Sequence, residues 1–214
     1  NKNILFNLWC PLVYNKNKNK RNSKMTFSEN YFKTINLYKK MHVTGTSKLP
    51  PQKTFAGFSL VRWIPEIQTI IKKTGSKSII DFGCGKAMAY REQIIFNKVT
   101  YPNIRDFWGV KDITLYDPGV KEFDLYPNSK ADGVICTDVI EHITSDDVIN
   151  FIENLYILSK IFVFLVIATK PASKYFDDGR NIHLTLKSNQ EWDIIFDKFK
   201  KKYSNIQTYV KYNE

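Results

Sequence analysis

Lys77-Ser78-Ile79-Ile80-Asp81-Phe82-Gly83-Cys84-Gly85-Lys86 is the stretch on which the fold turns. A short β-branched run stops at a glycine-rich turn, and residues 87–98, AMAYREQIIFNK, read as a helix. The pattern is therefore strand, tight turn, helix. Glycines at 83 and 85 let the backbone leave a strand sharply and approach a ligand closely. The expected helix would add free N–H groups and the positive end of its dipole. This arrangement suits a nucleotide-type cofactor, although G-x-G alone is a weak signal. The spacing also fails the dinucleotide fingerprint G-x-G-x-x-G, because Met88 stands at the third glycine position.

On the amino-terminal side, residues 27–41 (FSENYFKTINLYKKM) offer Ser28 as an N-cap and Tyr31, Ile35 and Tyr38 at helical spacing. A turn-rich connector, TGTSKLPPQK, follows. Residues 58–73 then place Leu60, Ile64, Ile67 and Ile71 along one helical face, with Pro65 either kinking that helix or standing in its first turn. On the other side, residues 100–111 read as a loop-like insert carrying Pro102, Asn103 and Gly109. DITLYDPGV reads as a second buried strand ending at Asp117-Pro118, and ADGVICTDVI (131–140) as a continuous apolar strand. A capped helix follows, with Val148, Ile152 and Leu155 facing inward. IFVFLVIAT (161–169) suits the centre of a sheet covered on both faces. After the polar loop KPASKYFDDGRN, the capping box Ser188-x-x-Glu191 starts a helix with Trp192, Ile195, Phe196 and Phe199 on one face. NIQTYVKY alternates as a terminal strand does. Strands alternating with helices imply a mostly parallel sheet wrapped on both sides, with a ligand crevice at the carboxyl ends of the strands.

Composition narrows the classes further. With 214 residues, 43% hydrophobic and 25% charged, the chain is sized for one globular domain and excludes disordered or collagen-like classes. Cys10, Cys84 and Cys136 are odd in number and contain no C-x-x-C pair, which argues against a disulfide framework or zinc knuckle and fits a reducing cytoplasm. The net charge of +11 invites a nucleic-acid reading, but Lys2, Lys16, Lys18, Lys20, Arg21 and Lys24 supply six of those charges in the first 24 residues, where no acid stands. Lys outnumbers Arg 27 to 5 and Asn and Ile are abundant, a pattern that AT-rich coding produces without selection for a polyanion. The expected organisation is a disordered or non-native leader over 1–24, a helical segment covering the site over 25–75, and the core over 76–214. Within the leader, ILFNLWCPLVY lacks a small-residue cleavage site and contains Pro11, which disfavours a signal peptide. The longest apolar run, IFVFLVIA, is far below the ~20 residues a membrane-spanning helix needs.

The acid two residues before Gly83 gives the segment a different relative. It resembles the first motif of the class I S-adenosylmethionine-dependent methyltransferases, an apolar strand followed by acid-x-Gly-x-Gly. Asp117, at the end of the next strand, matches the acid that in this family hydrogen-bonds the ribose hydroxyls, and Thr137-Asp138-Val139-Ile140-Glu141-His142-Ile143 resembles the fourth-strand motif of its small-molecule branch. The resemblance covers about residues 58 to 200. It implies a Rossmann-like three-layer α/β sandwich with an amino-terminal helical extension, and S-adenosylmethionine as cofactor. Asp81, Gly83 and Gly85 would surround the methionine end, with Cys84 and Lys86 of the same turn among the cofactor-binding residues. Asp138 and Val139 would border the adenine and the transfer site. Ala87 stands where many relatives have a third glycine, and residues 120–130 leave little room for the helix and third strand that usually precede the fourth.

Each of these residues also has a plain structural role open to it: Asp81 as a helix cap, Asp117-Pro118 as a turn, Glu141-His142 as a helix-start pair. Of the three histidines, His183 lies after the fifth expected strand and is the candidate base, with a loop-orienting role as the alternative; His142 reads as structural and His42 lacks context. No Asn/Asp-Pro-Pro-aromatic or Pro-Cys motif follows the fourth strand, and Cys136 reads as buried and inert, so the expected acceptor is a small molecule (a metabolite, sugar or lipid precursor). Tyr31, Tyr38, Phe55 and Phe58 are candidates for a lid, with packing as the alternative. An RNA methyltransferase and a noncatalytic cofactor-binding domain remain the competing readings, and a nicotinamide oxidoreductase is disfavoured by the missing third glycine.

Overall fold

The computed structural model describes residues 27–213. The expected leader and Cys10 lie outside them. Five parallel strands form the central sheet in the order β4-β1-β5-β6-β7, where β1 is Ser78–Phe82, β4 Asp112–Tyr116, β5 Ala131–Thr137, β6 Ser159–Ala168 and β7 Gln207–Asn213. Asp81 pairs with Leu115 on one side and Ile135 on the other, so the motif strand lies inside the sheet.

Two apolar cores sandwich this sheet, giving a Rossmann-like three-layer α/β fold. On one face, α4 (Val148–Leu158), α5 (Asn189–Lys202) and Tyr31 of α1 (Glu29–Thr44) pack on Ile80, Phe82, Val134, Cys136 and Leu165. On the other, α2 (Ile64–Thr74) and α3 (Ile104–Trp108) pack on Ile79, Ile135, Phe162 and Phe164. Successive residues of β6 thus enter opposite cores, and Phe162 to Ile167 are all fully buried, which explains its unbroken apolar sequence.

The helix boundaries follow their caps. Ser28 accepts from Tyr31 N at the start of α1, Ser188 and Glu191 close a reciprocal capping box on α5, and Pro65 stands in the first turn of α2 rather than kinking it. Before α2, Ser59–Trp63 forms a 3-10 turn.

Four expectations fail. Residues 87–98 are not a helix: Met88–Arg91 make one 3-10 turn, and Ile94–Phe96 (β2) pairs antiparallel with Val99–Tyr101 (β3). Asn97 and Lys98, at φ +50° and +66°, close that hairpin with a two-residue left-handed turn whose twist matches the strands. The insert at 100–111 contains α3, capped by Asn103 and stopped by Gly109 in the left-handed region, so its loop signals are helix boundaries. DITLYDPGV supplies an edge strand rather than a buried one, because no strand or helix forms in residues 117–130 and β4 has no outer neighbour among the described residues. The strand at 131–140 also stops early, at Thr137, where Asp138 turns left-handed at φ +54° and Ile140–His142 form a 3-10 turn.

Candidate functional site

A cavity opens where the carboxyl ends of β1, β4 and β5 meet. Its volume is about 130 Å³, below the ~300–1,000 Å³ of sites that hold a drug-sized ligand. The sheet contributes Phe82 at the end of β1 with Gly83 and Gly85 after it, Asp117 and Gly119 after β4, and Thr137 at the end of β5 with Asp138 and Val139 after it. Helix α1 covers it with Tyr31, Ile35, Tyr38 and His42, and the connector adds Phe55, Gly57 and Ser59. Three separated sequence segments carrying the resemblance thus converge on one cavity.

The glycine turn is a packed joint. A Cβ on Gly83 would overlap Val139 Cγ2, and one on Gly85 would overlap the Phe55 carbonyl oxygen, at φ of +96° and +57°. Its amides are committed inside the chain. Gly83 N and Cys84 N donate to Tyr116 O at 2.7 and 3.1 Å, and Lys86 N and Met88 N to Phe55 O and Ala56 O, each at 2.9 Å. Gly85 N donates to Asp117 Oδ2 at 2.8 Å, and Ala87 N to Cys84 O at 3.0 Å. No helix N-terminus stands behind the turn, so the expected free N–H groups are absent from Gly83 to Met88.

Asp117 holds both its oxygens toward backbone amides, Oδ2 to Gly85 N and Oδ1 to Gly119 N at 2.7 Å, and each oxygen keeps acceptor capacity for a ligand. Burial pushes its carboxyl up, against the two amide bonds and Lys86, which lower it. His42 Nε2 lies 3.9 Å from Asp117 Oδ1. Burial, reinforced by Lys86, holds that imidazole down at about 4, so it is neutral and the contact is not an ion pair. Lys86 Nζ donates to Thr54 O at 2.6 Å and lies 3.3 Å from His42 Nδ1. Lys86 therefore fastens α1 and the connector to the turn, and is not among the lining residues.

Asp138 lies in the cavity wall with its carboxyl pushed up by burial, opposed by Asn213 first and then by His183. Its Oδ1 accepts from Asn213 Nδ2 at 3.4 Å. As a non-glycine residue at positive φ, Asp138 holds backbone strain on that wall.

Asp81 and Cys84 are buried and are not lining residues. With no helix to cap, Asp81 accepts from Tyr90 Oη at 2.9 Å through Oδ2, while Oδ1 has no partner. Burial raises its carboxyl to about 7; the Tyr90 bond opposes this and Asp117 adds to it. Burial also pushes the Cys84 and Cys136 thiols far up, which leaves both inert.

The histidines exchange the places expected of them. His183 is tucked behind the wall, its side chain 12% exposed, with Nδ1 2.6 Å from Lys170 O and Nε2 4.0 Å from Glu141 Oε1. It is not a lining residue, whereas His42 and His142 are. His42 was legible from spacing, since Tyr31, Ile35, Tyr38 and His42 follow one another at intervals of four, three and four along one helical face. Of the candidate lid aromatics, Tyr31, Tyr38 and Phe55 line the cavity and Phe58 is exposed.

The electrostatics of the cavity run against those of the chain. In a protein with 32 Lys and Arg, no lysine or arginine lines the cavity among the described residues, whereas the carboxyls of Asp117 and Asp138 and two imidazoles do. Compared with protein-family models, with curated proteins and with solved structures, the chain finds no match in any of the three.

Proposed function

We propose that this cavity binds S-adenosylmethionine and that the chain transfers its methyl group to a small-molecule acceptor. The observation that carries the reading is the charge of the wall, with two carboxyls and, among the described residues, no cationic side chain. That wall suits a cofactor bearing a sulfonium and an ammonium, and a cationic ligand would favour the ionised form of both acids. It is unsuited to the pyrophosphate of a nicotinamide dinucleotide, which needs the free amides that this turn lacks.

In this reading Asp117, fixed by Gly85 N and Gly119 N, accepts from the ribose hydroxyls. Phe82, Val139 and Phe151 supply apolar wall for the adenine and the methyl-bearing sulfur. Bound there, the cofactor supplies an electrophilic methyl group: the acceptor's electron pair forms the new bond, the carbon–sulfur pair stays with the sulfur, and the acceptor loses its proton. The protein's work is alignment and exclusion of water, for which α1 with Tyr31 and Tyr38 forms the cover. Asp138 is the lining carboxylate placed to hold the acceptor or receive its proton.

The reading is tested by incubating the full chain with methyl-labelled S-adenosylmethionine and a cell extract, then separating small molecules from RNA and protein. Label in the small-molecule fraction, lost in Asp138→Ala, is the expected result. Label in RNA would replace the acceptor class, and cofactor binding without any transfer would make this a noncatalytic domain.

A further inference from the structure

Beside the cavity, three side chains bring electron-pair donor atoms together. Glu141 and His142 come from the 3-10 turn after β5, and His183 from the loop after β6. One ligand atom of each lies within 4.8 Å of the other two. Glu141 is fully buried; Oε1 accepts from Ala168 N at 3.2 Å, and Oε2 has no hydrogen-bond partner. A buried carboxyl left in this state is costly in either protonation form, because the ionised acid lacks a counter-charge and the neutral acid lacks an acceptor for its proton.

The two imidazoles are oriented in the way metal ligands are. His142 Nδ1 lies 3.0 Å from Ile182 O, and His183 Nδ1 lies 2.6 Å from Lys170 O. A carbonyl oxygen only accepts, so His183 Nδ1 carries the hydrogen and its free lone pair is on Nε2; His142 Nδ1 lies between the Ile182 carbonyl and Tyr38 Oη, the latter at 3.1 Å, and the tautomer that donates to the carbonyl leaves the Nε2 lone pair free. A carbonyl behind each Nδ1 sets ring direction, as outer-shell partners do for ligating histidines. Tyr38 Oη, 2.7 Å from the same Ile182 carbonyl, braces the arrangement from α1. Burial also keeps both rings neutral, the form that coordinates.

We propose that Glu141, His142 and His183 bind a divalent transition-metal ion of the zinc or cobalt type. Two imidazole nitrogens and one carboxylate oxygen suit such borderline ions and not calcium or magnesium, which take oxygen ligands. Bonds of about 2.0–2.2 Å in a tetrahedral site place ligand atoms roughly 3.4 Å apart, so side chains now within 4.8 Å of one another draw together by up to about 1.4 Å when the ion binds. The ion stabilises the orphan carboxylate and, through His142, reaches the cavity wall next to Asp138. Metal binding does not rest on the cofactor reading.

The test is a titration of the tag-free full chain, stripped with chelator, with Co²⁺ followed by its visible absorption, and with Zn²⁺ followed by calorimetry. Expected are one equivalent bound with micromolar or tighter affinity, a metal-dependent rise in melting temperature, and no response to Ca²⁺. Glu141→Gln and His183→Ala are each expected to weaken binding by 10-fold or more. Their circular dichroism and urea midpoints in metal-free buffer establish that the variants are folded, and either folded variant alone carries the comparison. Absence of stoichiometric binding to the wild-type chain, or unchanged affinity in a folded variant, would overturn the proposal.

Discussion

Gly83 carries φ +96° and presses its Cα face against Val139, so the first glycine of the motif joins β1 to the turn after β5. A methyl group there meets both forbidden backbone and an occupied site. Gly83→Ala is expected to destabilise the chain by about 2–4 kcal/mol in urea unfolding, and to displace Val139 from the cavity wall. Asp81 makes a second prediction, through pH. Its carboxyl is raised to about 7, so folding favours the protonated acid. The stabilisation linked to that protonation is fully present below pH ~4 and is lost as pH rises through about 7. Tyr90, Cys84 and Asp117 surround the group electrostatically, and none supplies a compensating positive charge. His42 has the opposite sign, because its lowered value makes stability fall as pH drops from ~6.5 toward about 4. Asp81→Asn retains an acceptor for Tyr90 and isolates the acid. Between pH 5 and pH 8 the wild-type chain is expected to lose ~2 kcal/mol relative to this variant in urea midpoints; parallel pH profiles would remove the buried acid from the account.

Helix α1 supplies four of the residues around the cavity and is tied to the core at its first turn. Ser28 caps Tyr31 N at 3.1 Å and bonds both oxygens of Asp147, through N at 2.8 Å and Oγ at 2.6 Å. Ser28→Ala removes the cap and one of those bonds, at an expected cost of about 1–2 kcal/mol. Faster hydrogen exchange concentrated in α1, with weaker cofactor binding, is the outcome to look for. The cap itself was legible in the sequence, as were the capping box of α5 and the apolar run of β6, because each rests on local chemistry or on a period longer than one turn. The hairpin of β2 and β3 was not. Two three-residue strands are shorter than any periodic signal, and their Asn97-Lys98 turn lacks the glycine that marks such turns. The site divides in the same way. Gly83, Asp117 and Asp138 were placed at the carboxyl ends of the strands by the motifs of the resemblance, and all three line the cavity. His183 was misplaced because burial of a loop side chain depends on what packs over it, here the Lys170 carbonyl and the His142 ring.

The whole molecule combines a net charge of +11 with a cavity whose wall, among the described residues, holds no lysine or arginine. Lys86 stands just behind that wall, 3.3 Å from His42 Nδ1, and its amine donates to the Thr54 carbonyl rather than lining the cleft. The parallel sheet places that cleft at the carboxyl ends of β1, β4 and β5, between two cores that hold the strands from either side. Among the described residues no helix is long and apolar enough to cross a membrane. The central claim is that this cleft takes a cationic sulfonium cofactor. Calorimetric titration of the full chain with S-adenosylmethionine, and separately with NAD, tests it most directly. Saturable micromolar binding of S-adenosylmethionine with no heat from NAD is the predicted result; binding of NAD in its place, or of neither, would contradict it.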